Sequence, residues 1–218
     1  MIRLCMFDLD GTLIDSVPDL AVSINRALSQ YNLPQKTREE YEPNMGKGLA
    51  NLIKTAIPKA HYSEELFESL RTSVIAHYSE HCTEETVLYE GIYELLRKLA
   101  ASGIKLAVIT NKPHVFLDKI LVDLFSETDF VRVIGAGEYP SKPDPAALYA
   151  VMEETGVKKE ECMYIGDTAI DINTAINAGI MPVGVFWGYQ SGEALKNAGA
   201  QVVIQKPEEL LDVIKNVQ

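Results

Sequence analysis

The feature that most constrains the fold runs from Gly91 to the end of the sequence, where short apolar runs alternate with helical stripes. The spacing predicts a helix over Ile92 to Ala101, a strand over Lys105 to Thr110, a helix around Val115 to Leu121 and a strand over Phe130 to Ile134. A helix over Pro145 to Thr155, a strand over Cys162 to Ile165, a helix over Ile170 to Ala178 and a strand over Pro182 to Phe186 follow. A short helix near Glu193 to Asn197, a strand over Val202 to Ile204 and a helix over Glu208 to Val217 complete the series. Strands and helices alternating at these lengths form a parallel sheet covered by helices on both faces, an α/β fold. The apolar run from Ile2 to Phe7, broken only by Arg3, supplies a further strand for this sheet.

Between that first strand and Gly91 the pattern is different. From about Val17 to Glu85 apolar residues recur at helical intervals: Leu20, Ile24, Ala27 and Leu28, then Leu49, Leu52, Ile53 and Ala56, then Leu66, Leu70, Val74 and Tyr78. Pro34, Pro43 and Pro58 punctuate the segment, and Asp19, Thr37 and Ser63 stand near helix starts. The expected organisation is a core of residues 1–15 and 86–218 with a helical insert of residues 16–85, hinged near Ile14 to Pro18 and Thr83 to Gly91. Two connections to one host suit an insert that closes over its host as a lid.

Composition narrows the function. The formal net charge of −11 disfavours nucleic acid and anionic membrane surfaces as partners, so any phosphorylated ligand must be drawn in by local cations. Cys5, Cys82 and Cys162 have no metal-ligand spacing and read as reduced core thiols, which points to the cytoplasm. No stretch has the pattern of a signal peptide or a membrane-spanning helix. Gly135-Ala136-Gly137 lacks the third glycine of a dinucleotide fingerprint, so no nicotinamide cofactor is expected.

Chemistry concentrates at predicted strand ends. The first strand runs into Asp8-Leu9-Asp10-Gly11-Thr12, and ligands of open parallel sheets bind outside that edge, where the Gly11 and Thr12 amides are expected to face an oxyanion. An EF-hand reading fails, because glycine stands fourth and Asp19 occupies the closing position that needs Glu. Later strands end at Thr110-Asn111-Lys112-Pro113, lead into Ser141-Lys142-Pro143-Asp144, and end at Gly166-Asp167-Thr168-Ala169-Ile170-Asp171. Singly, Thr110 and Asp167 would serve as helix caps and Lys142 as a surface charge. Together, Asp8, Asp10, Asp167 and Asp171 in one crevice would repel one another unless a cation were present, and oxygen ligands of this kind suit Mg²⁺.

The ordered set Asp8-Leu9-Asp10-Gly11-Thr12-Leu13, Thr110-Asn111, Lys142-Pro143 and Gly166-Asp167 with Asp171 resembles the four motifs of the haloacid dehalogenase superfamily, and the helical insert resembles its C1 cap. The resemblance spans nearly the whole chain and implies a Rossmann-like core with a cap over residues 16–85. It further implies that Asp8 is a nucleophile forming an aspartyl phosphate and that Asp10 is the general acid and then the general base. Mg²⁺ would be held by the Asp8 carboxylate, the Asp10 main-chain carbonyl and the Asp167 carboxylate. Thr110, the Asn111 amide and Lys142 would bind phosphoryl oxygens, and Asp171 would orient Lys142 or reach the metal through water.

Within the superfamily, Asp10 disfavours a dehalogenase, which does without that second acid. Thr110-Asn111-Lys112-Pro113, Met45-Gly46-Lys47-Gly48-Leu49 and Trp187-Gly188-Tyr189-Gln190-Ser191-Gly192 resemble the phosphoglycolate phosphatase branch, with small phosphorylated metabolites as substrates. That resemblance makes Lys47, otherwise a solvated charge in an interhelix turn, a candidate for binding the substrate's distal group. Pyrophosphate hydrolysis and β-phosphoglucomutase-like transfer stay open at this point. A receiver-like phosphoacceptor domain is disfavoured, since receivers carry the acidic pair and the phosphoacceptor on different strands and have no such insert.

Overall fold

A computed structural model describes residues 1–217. The chain opens with β1 (Leu4–Phe7) and the two-residue strand β2 (Ile14–Asp15), then runs through α1 (Val17–Gln30), α2 (Arg38–Tyr41), α3 (Leu49–Ala56) and α4 (Glu64–His81). It continues with β3 (Val87–Leu88), α5 (Ile92–Ala101), β4 (Lys105–Pro113), α6 (Leu117–Leu124) and β5 (Phe130–Ala136). The last third comprises α7 (Ala146–Thr155), β6 (Cys162–Gly166), α8 (Ala169–Ala178), β7 (Met181–Val185), α9 (Gly192–Asn197), β8 (Val202–Ile204) and α10 (Glu209–Asn216).

Six strands form one sheet in the order β5-β4-β1-β6-β7-β8, with every pairing parallel. After β1 the chain builds outward through β4 and β5, then returns to the other side of β1 and builds outward through β6, β7 and β8. That reversal opens a crevice beyond the C-terminal ends of β4, β1 and β6, the place where such sheets bind ligands. Register aligns those ends: Phe7 stands beside Val108 on one side and Ile165 on the other.

Alternation along β1 sends its side chains to two cores. Leu4 and Met6 join a cluster with Leu148 and Val151 of α7 and Ala175 and Ala178 of α8. Cys5 and Phe7 join a larger cluster that holds Leu95 and Leu99 of α5, Leu210 and Ile214 of α10, and the apolar stripes of α1, α3 and α4. The inserted helices therefore pack into the same apolar cluster as one face of the sheet. In α4 the buried stripe is Phe67, Leu70, Val74 and Tyr78: Leu70, Val74 and Tyr78 are buried as expected, and Phe67 takes the place of Leu66, which is only half-buried.

Two features differ from the sequence expectation. Strand β4 runs three residues past Thr110, because after a register irregularity Pro113 still pairs with Ala136 of β5. The ends of the insert are joined by the antiparallel β2–β3 ribbon, two residues on each side, too short to leave a periodic signal. Asp19 ties the same neck together: its carboxylate accepts from the Glu85 and Thr86 amides at 3.0 and 2.9 Å and from the Thr86 hydroxyl at 2.6 Å. Asp19 stands in the first turn of α1, but its side chain reaches across to the returning strand rather than capping the helix. The three cysteines are buried and free, and no helix among the described residues is long and apolar enough to cross a membrane.

Candidate active site

The chain turns sharply after Asp8. The Asp8 amide donates to Ile165 O at 2.9 Å, extending the β1–β6 pairing by one residue. Leu13 and Ile14 then donate back to Leu9 O at 2.9 and 3.1 Å. Gly11, at φ +87°, makes this reversal possible, and a Cβ there would overlap the Asp167 carboxylate. The turn consumes the amides that the sequence had assigned to an oxyanion: Gly11 donates to Ile14 O at 2.9 Å and Thr12 to Leu9 O at 3.3 Å. The Thr12 side chain is committed as well, its hydroxyl donating to Asp167 Oδ1 at 3.1 Å. Gly11 and Thr12 thus shape the turn and hold Asp167 rather than face a ligand. Among the described residues, the amides left without a partner in this turn are those of Leu9 and Asp10.

Three carboxylates converge behind the turn. Ligand oxygens of Asp8, Asp167 and Asp171 all lie within 4.8 Å of one another, and all three residues are buried. Asp167 accepts from Thr12 and, through Oδ2, from the Tyr189 amide at 2.9 Å. The loop after β7 reaches this position because Gly188 packs directly on Asp167 and the Trp187 indole N–H donates to Thr12 O at 3.0 Å. Asp171 is saturated: Oδ2 accepts from the Thr168 amide and hydroxyl at 3.0 and 2.6 Å, and Oδ1 accepts from Lys142 Nζ at 2.6 Å. Its carboxylate orients Lys142 and has no oxygen free of a partner.

Lys142 Nζ also donates to Tyr164 OH at 2.9 Å and lies 2.8 Å from Asp8 Oδ1. The contact with Asp8 is one of charge without hydrogen-bond alignment, so Asp8 Oδ1 is buried with no hydrogen bond. Burial pushes the Asp8 carboxyl up to about 7, Lys142 opposing the shift and Asp171 adding to it. Asp167 is also held well above the ordinary carboxylate range, first by burial and then by Asp171 and Asp8. Burial disfavours the Lys142 ammonium, but Asp171 and Asp8 outweigh it and keep the lysine firmly charged. Three acids face this single lysine, so with all of them ionised the cluster would carry an excess of two negative charges. An all-oxygen donor set, an orphaned carboxylate oxygen and that excess charge fit a hard divalent cation.

Asp10 faces away from this cluster. Its Oδ1 accepts from Ser16 Oγ at 2.5 Å and from Lys112 Nζ at 2.8 Å. The Asp10 carboxylate is thus engaged away from the acidic cluster, and the metal role expected for Asp10 is that of its main-chain carbonyl. Thr110, at the end of the regular part of β4, accepts the Lys112 amide at 3.1 Å and keeps its hydroxyl proton for a ligand. The Asn111 side chain bridges three segments, donating to Gly46 O and Lys142 O at 3.1 and 3.3 Å and accepting from the Lys142 amide at 3.0 Å.

Asp8, Asp10, Thr110, Asn111 and Lys112 form one wall of a cleft, and Leu20, Met45, Leu49, Leu52 and Tyr78 of the insert form the other. Lys47 is absent from both walls: it is exposed, its Nζ donates to Pro43 O at 3.2 Å, and it borders a neighbouring groove with Arg71. The loop enters α3 in an orientation that presents Gly46, Gly48 and Leu49 to the cleft and turns the intervening lysine outward. Lys112, Ser16 and Tyr78 were not singled out as site residues from the sequence.

A buried aspartate at the end of β1, a lysine held by a second aspartate and a cluster of buried acids that could hold a cation thus stand together at the switch point of a parallel sheet. The chain belongs to the haloacid dehalogenase-like hydrolase family, which it matches over residues 5–185. It is 38% identical to a phosphoglycolate phosphatase of Colwellia psychrerythraea, covering 96% of each chain. It is 36% identical to a phosphoglycolate phosphatase of Vibrio parahaemolyticus, covering 98% of this chain and 96% of that one. Among solved structures, a predicted phosphoglycolate phosphatase from Haemophilus somnus superposes with a TM-score of 0.91 at 31% identity, covering 97% of both chains.

Proposed function

We propose that this chain is a Mg²⁺-dependent phosphomonoesterase that works through an aspartyl phosphate on Asp8, with 2-phosphoglycolate as its substrate. The observation that carries the reading is the division of labour between the two acids of the first motif. Asp8 sits in the buried acidic cluster beside Lys142, while Asp10 is turned out to the cleft and held by one oxygen only. A nucleophile and a separate proton carrier on one turn are what phosphoryl transfer to a carboxylate requires, and a carbon-directed dehalogenase has no use for the second. The names of the relatives support the substrate.

Asp8, Asp167 and the Asp10 carbonyl would hold Mg²⁺, which when bound screens the anionic nucleophile from the anionic ester. In the first half-reaction an Asp8 oxygen attacks phosphorus, the bond from phosphorus to the ester oxygen breaks, and Asp10 gives its proton to the departing oxygen. In the second, Asp10 takes a proton from water, the water oxygen attacks phosphorus, and the bond to Asp8 breaks to release inorganic phosphate. Thr110, Lys142 and the unpartnered Leu9 and Asp10 amides bind the phosphoryl oxygens, in place of the Gly11 and Thr12 amides. Residues 16–85 act as the cap that excludes water from the cleft.

The test is phosphate release from 2-phosphoglycolate, pyrophosphate, sugar phosphates and nucleotides, with Mg²⁺ or EDTA, together with acid-quench trapping of the phosphoenzyme. Strong Mg²⁺-dependent preference for 2-phosphoglycolate is expected, with label on the wild type and none on Asp8→Asn. Preference for pyrophosphate, or phosphate moved within a sugar without release, would replace the substrate while keeping the nucleophile.

A further inference from the structure

Lys112 is buried to within a few per cent of complete enclosure. An ammonium in such a place needs compensation from close partners. Lys112 Nζ has two: Asp10 Oδ1 and the Tyr78 hydroxyl, both at 2.8 Å, with the Tyr78 ring centroid at 4.8 Å. Tyr78 is itself fixed, edge-on against Phe116 with centroids 4.8 Å apart. The two buried lysines of the site therefore serve different acids, Lys142 the nucleophile and Lys112 the proton carrier.

Both donors to Asp10 converge on the same oxygen. Ser16 Oγ at 2.5 Å and Lys112 Nζ at 2.8 Å meet Oδ1, and no hydrogen bond among the described residues reaches Oδ2. A carboxyl free to turn would present either oxygen, or neither, to a leaving group. We propose that Lys112 is a positioning residue for the proton carrier: with Ser16 it pins Asp10 Oδ1, so that Oδ2 alone exchanges protons in the cleft, and Tyr78 fixes Lys112 from the inserted helix α4. The proposal rests on the reading of Asp10 as general acid, and in it Lys112 acts through Asp10.

The experiment compares kcat/KM on an alkyl phosphate, 2-phosphoglycolate, with that on p-nitrophenyl phosphate, whose leaving group departs without a proton. General acid catalysis contributes roughly 10²- to 10⁴-fold, so Lys112→Met should lower kcat/KM for the alkyl ester by about 100-fold and for the aryl ester by less than about 5-fold. Since kcat/KM stops at the first irreversible step, slow breakdown of the phosphoenzyme does not blur the comparison. In an Asp10→Asn background the same change should cost nothing more, because Lys112 acts through Asp10.

Equal losses on both esters, no loss on either, or full additivity with Asp10→Asn would overturn the proposal. If Asp10→Asn alone penalised both esters equally, the general-acid reading itself would fall and the positioning role with it. If it penalised the alkyl ester alone while Lys112→Met did not, only the positioning role would fall. Should Lys112→Met not fold, Tyr78→Phe, which removes one hydroxyl and keeps the ring, decides by the same alkyl-to-aryl contrast at smaller size.

Discussion

Stripped of divalent cation, the folded chain should lose stability as the pH rises from about 4 to about 7, and Asp8→Asn should remove the share of that loss that belongs to Asp8. Burial raises the Asp8 carboxyl from 3.8 to about 7. In the unfolded chain the same group ionises near its ordinary value, so between the two the unfolded state gives up its proton first. Each unit of such a shift corresponds to 1.36 kcal/mol, and a shift of about three units removes roughly 4 kcal/mol by pH 8. The Asp8 contribution is retained below the unfolded value, falls through the window and is level above it. The assay is urea unfolding in EDTA at intervals from pH 4 to pH 8, wild type against Asp8→Asn. The two should be nearly equal at pH 4, and at pH 8 the variant should be more stable by about 4 kcal/mol, or about 2 M in urea midpoint at a slope of ~2 kcal/mol/M. Saturating Mg²⁺ should raise the wild type at pH 8, by roughly 2.7 kcal/mol at a hundred times its dissociation constant. A wild-type stability that is flat or rising across the window relative to Asp8→Asn would refute the claim that the buried acids are uncompensated without a cation.

Other perturbations probe separate parts of the molecule. Asp19→Ala should cost about 3 kcal/mol, since three donors from the returning strand would lose a charged acceptor, and urea unfolding at pH 7 checks it. Gly188→Ala should weaken Mg²⁺ binding, read by calorimetry, far more than it weakens folding, because the added methyl would overlap Asp167 and the Gly11 carbonyl. Native protein should leave Ellman's reagent almost unconsumed at pH 8 and release three thiols on denaturation, since all three cysteines are buried and burial pushes the Cys162 thiol up to about 12. Lys47→Ala should change kcat/KM for 2-phosphoglycolate by less than about 2-fold, as an exposed lysine outside the cleft contributes only screened, long-range attraction.

The fold was legible where burial imposes a period. Elements from α5 to α10 fall within a few residues of their expected bounds, because strands enclosed on both faces and helices with one apolar stripe leave different spacings. The β2–β3 ribbon was not legible, two residues per strand being shorter than any period. One member of the buried face of α4 differs, Phe67 in place of Leu66, since both are apolar and only packing decides which turns inward.

At the site, legibility followed chemical necessity at the reacting atoms and stopped one bond beyond them. Asp8, Thr110 and Asp167 stand at strand ends and Lys142 in the loop after β5, in an order that few other arrangements produce, and the sheet topology brings them together. Lys112, by contrast, follows an asparagine in a loop-like stretch, and Tyr78 occupies a core position of a helical stripe; each has a commonplace role that the same pattern fits. Their meeting at 2.8 Å depends on how the insert docks, which no local pattern encodes. The amides of the first turn make the same point from the other side. Glycine at the fourth position marks a reversal, and a reversal this tight must spend amides on itself. It spends those of Gly11 and Thr12, the residues whose small or hydroxylated side chains looked suited to an anion, and leaves those of Leu9 and Asp10, which carry no such mark. Residue type showed that the turn exists, whereas the hydrogen bonds within it decide which of its donors stay free.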